Sequence, residues 1–309
     1  MATDVNKKTV DVLIPAYRPG RELEKLLDML EKQTYAPTHI KIVNTEESLW
    51  DYGIEERHPG ICVRHIRKED FDHGGTRRTM AESSNSDILL FMTQDAVPAN
   101  EFLVEELVRA LSQENVCAAY ARQVPNGECK EAEKYTRLFN YPPKSRVKTK
   151  ADLPVLGVKT YFCSNVCAAY DKRIYEELGG FVQRTIFNED MLFASKAIGA
   201  GYGIAYAAAA KVYHSHDYTC RQQFHRNFDL GVSQAEYAQV FEGLPSEGEG
   251  IRLVKMTAAH LVSAHRWWEL PELFFQSAFK YAGYFLGRRF HKLPKGLVKR
   301  CTMSPGYWK

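Results

Sequence analysis

No apolar run in these 309 residues approaches the roughly 18 residues of a membrane span. The first residues, Met1-Ala2-Thr3-Asp4, lack the apolar core of a signal peptide and lead straight into a strand. A cytoplasmic chain is expected, one that meets a membrane only from its surface. A disulfide framework is missing too. The seven cysteines are odd in number, and Cys163 and Cys167 have no nearby Cys/His set to complete a zinc site. Charge of one sign is also scarce: the net value is +3, which gives no case for a nucleic-acid partner. The glycines of a dinucleotide fingerprint do not follow the first strand, which argues against NAD. Nor is Ala16-Tyr17-Arg18-Pro19-Gly20 the glycine- and lysine-rich phosphate loop of a nucleotidyltransferase.

What is present alternates. Val10–Ile14, stopped by Pro15, Ile40–Asn44, Val63–Ile66, Ile88–Met92, Val116–Ala121 and Ala205–His214 read as strands. Between them, Glu22–Gln33, Thr76–Ser84 (after a Gly74-Gly75 turn), Phe102–Leu111 and Asp190–Gly199 read as helices. This order predicts an α/β fold with a mostly parallel central sheet flanked by helices. Pro125 to Pro154, rich in Lys, Pro and Tyr, reads as a long surface excursion. Pro245-Ser246-Glu247-Gly248-Glu249-Gly250 reads as a linker, dividing a catalytic domain (1–245) from a C-terminal helical extension (246–309). That extension contains helices Ile251–Trp268 and Glu272–Leu286. From Lys280 onward it carries eight Lys/Arg and no Asp/Glu.

The chemistry concentrates at strand ends. Asp95 follows the apolar run Ile88–Met92, where an open α/β sheet binds ligands. A carboxylate there suits a hard cation that carries phosphate oxygens, although a turn aspartate would look the same. Glu189-Asp190 opens a helix in an apolar setting that can raise a carboxylate's proton affinity. Acids also simply suit a first helical turn. His214 and His216 fall on one face of a continuing strand, so either could complete a metal site. Arg77, beside Gly74-Gly75, and Arg226 offer guanidinium groups to a diphosphate.

Ile14-Pro15-Ala16-Tyr17, Phe71–Arg77, Thr93-Gln94-Asp95-Ala96, Phe162–Asn165, Asn188-Glu189-Asp190 and Tyr213–Tyr218 together resemble the inverting glycosyltransferases of family 2. Within that family the likeness is to bacterial rhamnosyltransferases that build cell-surface polysaccharides, and it extends over nearly the whole chain. The resemblance implies the GT-A nucleotide-sugar-binding fold and a dTDP-L-rhamnose donor. It also implies Mg²⁺ or Mn²⁺ as cofactor and a saccharide acceptor, free or lipid-linked. By position, Pro15 and Tyr17 would lie against base and ribose, and Glu46 would bind the pyrimidine. Gly75, Arg77, Gln94 and Arg226 would add further nucleotide-sugar contacts. Asp95 matches the last acid of the family's Asp-x-Asp metal motif, whose first acid is Thr93 here. His214 or His216 would be a further ligand. Asp190 matches the catalytic base, with Glu189 beside it, and Ser164 and Asn165 would meet the acceptor. The basic, aromatic C-terminal region would contact anionic lipid or a second subunit in a homodimer. A UDP-hexose or UDP-galactofuranose donor, and a non-catalytic carbohydrate-binding protein, are the alternative readings.

Overall fold

The computed structural model describes residues 7–308 except 128, 217 and 243–246. Within these, nine strands form one sheet: β1 (Val10–Tyr17), β2 (His39–Thr45), β3 (Ile61–Ile66), β4 (Ile88–Met92), β5 (Val97–Pro98), β6 (Val116–Val124), β7 (Arg146–Lys148), β8 (Cys167–Asp171) and β9 (Gly203–Tyr213). Their order is β3-β2-β1-β4-β8-β6-β9-β5, with β7 also on β9. β3, β2, β1 and β4 are mutually parallel, as are β6 and β9, while β8 runs antiparallel between β4 and β6.

The strand period of two decides which helix covers which face. Val12, Ile14, Leu90 and Met92 point to one side. They meet Leu23, Leu26, Leu27 and Leu30 of the helix Arg21–Leu30, and Leu103, Val104, Leu107 and Leu111 of the helix Leu103–Leu111. Leu13, Leu89 and Phe91 point to the other. There Tyr170, Phe181 and the helix Glu189–Gly199 close over them. The predicted fold class is the observed one.

Several boundaries differ, each for a physical reason. Pro15 does not stop β1: it stays in register with Val43 of β2. On the other side, pairing with β4 ends at Leu13, so the missing N–H of Pro15 falls on a free edge. Gly74-Gly75 is no turn but lies in the first turn of the helix His73–Glu82. The excursion from 125 to 154 holds a ten-residue helix, Glu131–Asn140, and the short strand β7. The helix predicted to reach Trp268 ends at Ser263, and His265 at φ 54 turns the chain before the next helix, Leu270–Gly287. Of the predicted linker, Pro245 and Ser246 lie outside the described residues, and Glu247 to Gly250 begin the helix Glu247–Ser263.

The C-terminal helices are held firmly. The helix Leu270–Gly287 packs along the helix Cys220–Glu236 through glycines. A Cβ on Gly283 would sit 2.2 Å from the Phe224 carbonyl oxygen, and one on Gly287 would sit 2.1 Å from that of Phe228. Further on, buried Asp229 accepts hydrogen bonds from the Thr302 hydroxyl (2.6 Å) and the Met303 N–H (2.9 Å), fixing the last segment.

At the amino end of the sheet, Asp11 is fully buried. It accepts from Ser84 (2.8 Å) and Ser86 (2.5 Å) and pairs with Lys41 (2.8 Å) and His39 (2.8 Å). Burial pushes its pKa up, but the hydrogen bonds from Lys41, Ser86, His39 and Ser84 win and lower it from 3.8 to about 2. Asp11→Ala should therefore lose about 3 kcal/mol in urea unfolding at pH 7. A folded pKa below the unfolded one stabilises above the unfolded value and is lost as pH falls through the folded one. The difference between the two proteins should shrink between pH 4 and 2; a constant difference there would remove Asp11 from this role.

Candidate active site

The parallel register brings the carboxyl ends of β1 and β4 side by side, and a cleft of about 800 Å³ opens beyond them. Pro15, Tyr17, Arg77, Gln94, Asp95, Ser164, Asn165, Glu189, Asp190, His214, His216 and Arg226 all line it. Glu46 and Gly75, predicted to join them, do not. Glu46 at φ 68 turns its carboxylate onto the Lys68 N–H. The Gly75 N–H is capped by Asp72 (2.7 Å), and a Cβ there would stand 2.6 Å from the Gln183 carbonyl oxygen. That glycine allows close packing against the 182–183 backbone.

Gln94 stitches two strand ends together. Its Oε1 accepts from the Tyr17 N–H (2.9 Å), and its Nε2 donates to the Tyr17 carbonyl (3.0 Å). Both groups of the amide are thus engaged with protein, and the rigid link holds Asp95 and Tyr17 across the cleft.

Asp95 lies between two imidazoles, with His214 Nε2 at 3.6 Å and His216 Nε2 at 3.4 Å. One ligand atom from each lies within 4.8 Å of the others, so the three could share an ion. The His214 Nδ1 is 3.0 Å from Gln123 Oε1, an atom that only accepts, so Nδ1 carries the proton. Nε2 then keeps its lone pair toward Asp95. Burial, opposed by the Asp95 charge, pushes the His214 pKa down to about 3, which keeps the ring neutral. A neutral imidazole oriented by a hydrogen bond on its other nitrogen is the form that binds metals. The residues present fit a divalent cation.

The second acidic element is built by Asn188. Its φ of 66 is left-handed, a conformation asparagine tolerates, and it starts the helix Glu189–Gly199 with both carboxylates turned inward. Glu189 is buried, paired with Arg77 at 3.1 Å and bonded by the Asn165 side-chain amide at 3.0 Å. Asp190 is half-buried at the cleft floor, accepting the Asn165 N–H (3.0 Å) and the Met191 N–H (2.8 Å). Desolvation first, then the Glu189 charge, push the Asp190 pKa up to about 7. Burial also raises that of Glu189, but Arg77, His73 and Asn165 outweigh it and leave it below 4.5. Two neighbouring carboxyls are therefore driven apart in acidity, the pattern of a base beside a fixed charge.

Two predicted contacts change character. Asn165, expected to meet the acceptor, is buried, and the Tyr170 hydroxyl (2.7 Å) fixes its carbonyl, so it orients both acids. Arg77, expected at the diphosphate, has its guanidinium on Glu189 and on the His73 carbonyl (3.2 Å). Sequence reasoning missed Gln123, Glu133, Arg137, Tyr218 and Lys280, which also line the cleft. The one signal for the helix Glu131–Asn140 was the i,i+4 pair of Glu133 and Arg137, seen at 2.7 Å.

Known proteins resemble this chain in sequence and fold. Residues 11–179 match the family described as Glycosyl transferase family 2. The O-antigen chain rhamnosyltransferase RfbN of Salmonella typhimurium is 36% identical over 97% of this chain and 96% of its own. WbaN of Salmonella anatum, also an O-antigen chain rhamnosyltransferase, is 35% identical over 96% and 95%. Among solved structures, the mannosyltransferase PcManGT of Pyrobaculum calidifontis, in complex with GDP-Man and Mn²⁺, superposes with a TM-score of 0.57. It is 17% identical and aligns over 98% of this chain and 86% of its own. S. aureus TarS 1-349 in complex with UDP-GlcNAc gives 0.51 at 13% identity, over 92% and 91%. These likenesses show the GT-A fold. With the family match and the full-length relatives, they identify the chain as a glycosyltransferase, and it belongs to glycosyl transferase family 2.

Proposed function

We propose that this enzyme transfers L-rhamnose from dTDP-L-rhamnose to a saccharide acceptor with inversion at the anomeric carbon. The observation that carries the chemistry is the divergence of Glu189 and Asp190, with Asp190 facing the cleft near neutrality. The relatives named as O-antigen chain rhamnosyltransferases support the sugar and a role in cell-surface polysaccharide synthesis. The base and ribose lie along Pro15 and Tyr17, with Arg226 toward the diphosphate and Ser164 on the acceptor side. Asp190 takes the proton of an acceptor hydroxyl. The freed oxygen attacks the anomeric carbon as the nucleoside diphosphate leaves from the opposite face. Glu189 stays ionised against Arg77, and its charge adds to desolvation in keeping Asp190 basic.

Asp95, His214 and His216 would hold the divalent cation, which when bound neutralises negative charge on the diphosphate. Two imidazoles with one carboxylate favour Mn²⁺ over the oxygen-seeking Mg²⁺. Titration calorimetry with dTDP-L-rhamnose should show binding in Mn²⁺, weaker binding in Mg²⁺, and loss of the metal-dependent part on adding chelator. Asp95→Ala should bind as the chelated wild type does. Equal affinity with and without chelator would rule out this donor site.

In the described residues no helix is long and apolar enough to cross a membrane. Trp267, Trp268, Phe274, Phe275 and Tyr281 are nonetheless all more than half exposed, beside the basic tail. This supports contact of the C-terminal helices with an anionic membrane surface, where a lipid-linked acceptor would be met.

A further inference from the structure

The helix Leu270–Gly287 contributes a residue to the cleft that no motif announces. Lys280 lines it beside Glu133, Arg137, His216, Tyr218, Gln223 and Arg226. Its place follows from the glycine contacts: 276, 280, 283, 284 and 287 share one face of a helix. Along that face Gln276 donates to the Tyr218 carbonyl (3.3 Å), and Tyr284 bonds Gln234 (2.7 Å). Gly283 and Gly287 lie against the backbone of the helix Cys220–Glu236. Lys280 is fixed between these anchors and aimed inward.

It is half-buried there, and among the described residues it has no ion pair or hydrogen bond. Three described acids around the cleft are occupied: Glu133 by Arg137 (2.7 Å), Glu272 by Lys130 (2.6 Å) and Glu269 by Arg266 (2.9 Å). Among the described residues Arg226 has no carboxylate partner either, and it rests on the rings of Phe187 and Tyr218. Burial lowers the Lys280 pKa, and Arg137 and Arg226 add to that against Glu133. An ammonium partly withdrawn from water, with its nearest acid already paired to Arg137, is costly, and a bound anion offsets the cost. His216 lines the same pocket, so that anion would lie next to the Asp95, His214 and His216 cluster.

We propose that Lys280 binds the sugar-bearing phosphate of the donor and holds the nucleoside diphosphate as it leaves. The inference rests on the donor reading above. In the displacement, the acceptor oxygen bonds the anomeric carbon while the bond from that carbon to the phosphate oxygen breaks. The electron pair goes to the diphosphate, the acceptor proton goes to Asp190, and Lys280 remains protonated throughout. Charge grows on the oxygen that a fixed ammonium would meet. The C-terminal helices then belong to the catalytic site.

The test uses full-length protein with Mn²⁺ and four probes: dTDP, UDP, dTMP and UMP. Lys280→Met should weaken the diphosphates about tenfold while the monophosphates stay within about twofold, and Lys280→Arg should recover most of the loss. Mn²⁺ affinity without nucleotide, read by electron paramagnetic resonance, should not change in either variant. Unchanged diphosphate binding in Lys280→Met overturns the inference, as does equal weakening of mono- and diphosphates. Slower transfer with unchanged diphosphate affinity assigns the lysine to an acceptor anion and overturns it as well. A wild type that binds Mn²⁺ but neither diphosphate overturns the donor reading itself.

Discussion

Asp190→Asn is expected to fold, bind the donor and transfer sugar about 10²–10⁴ times more slowly, the range a positioned general base contributes. The substitution keeps the shape of the side chain and leaves Oδ1 to accept one of the two backbone N–H groups, from Asn165 and Met191. What it removes is the proton acceptor. As the proposed base, the same group should set the pH profile of the wild type. Asp190 must be ionised to act and its pKa is raised to about 7, so the rate should climb from pH 5 and level off above pH 8. A donor affinity that stays flat over this range would place the titration in the chemical step. A variant that keeps most of its turnover would exclude Asp190 as the base.

Arg77→Met is expected to cost about 3–5 kcal/mol of stability, because it strands a buried carboxylate beside a second one. Both side chains of the Arg77–Glu189 pair are only 7% exposed. Water cannot replace the guanidinium at Glu189, and the hydrogen bond from the Asn165 side chain carries no compensating charge. Adding Glu189→Gln to Arg77→Met should restore most of the loss by removing the unpaired charge. Urea unfolding of the wild type, the single variant and the double variant at pH 7 measures both effects. A single variant within about 1 kcal/mol of the wild type would contradict the burial assigned to this pair.

Both variants act at the carboxyl end of the sheet, whereas the Asp11 cluster stabilises its amino end. β1 carries both, from Asp11 at its start to Pro15 and Tyr17 at its finish. The buried carboxylates near its two ends shift in opposite directions. Asp11 is surrounded by donors and its pKa is lowered, while desolvation and then the Glu189 charge raise that of Asp190.

The order of strands and helices was legible because long apolar runs carry period and length together. Asp95 was legible for the same reason, as an acid that ends such a run. Asp190 drew attention through its apolar flanks, but the left-handed Asn188 that turns it inward has no counterpart in hydrophobic pattern. Lys280 was out of reach, since its place depends on Gly283 and Gly287 pressing one helix onto another. The helix Glu131–Asn140 was hidden by its charge, having no fully buried residue to set a period. Glu46 and Gly75 were placed in the cleft by position along the chain, and a backbone twist at one and close packing at the other put them elsewhere.

The most direct test is nucleoside diphosphate release from a panel of dTDP- and UDP-linked sugars with Mn²⁺, comparing the wild type with Asp190→Asn. Release from dTDP-L-rhamnose by the wild type, reduced at least about a hundredfold in the variant, is the expected result. Preferred turnover of a UDP-hexose, or equal release by both proteins, would contradict it.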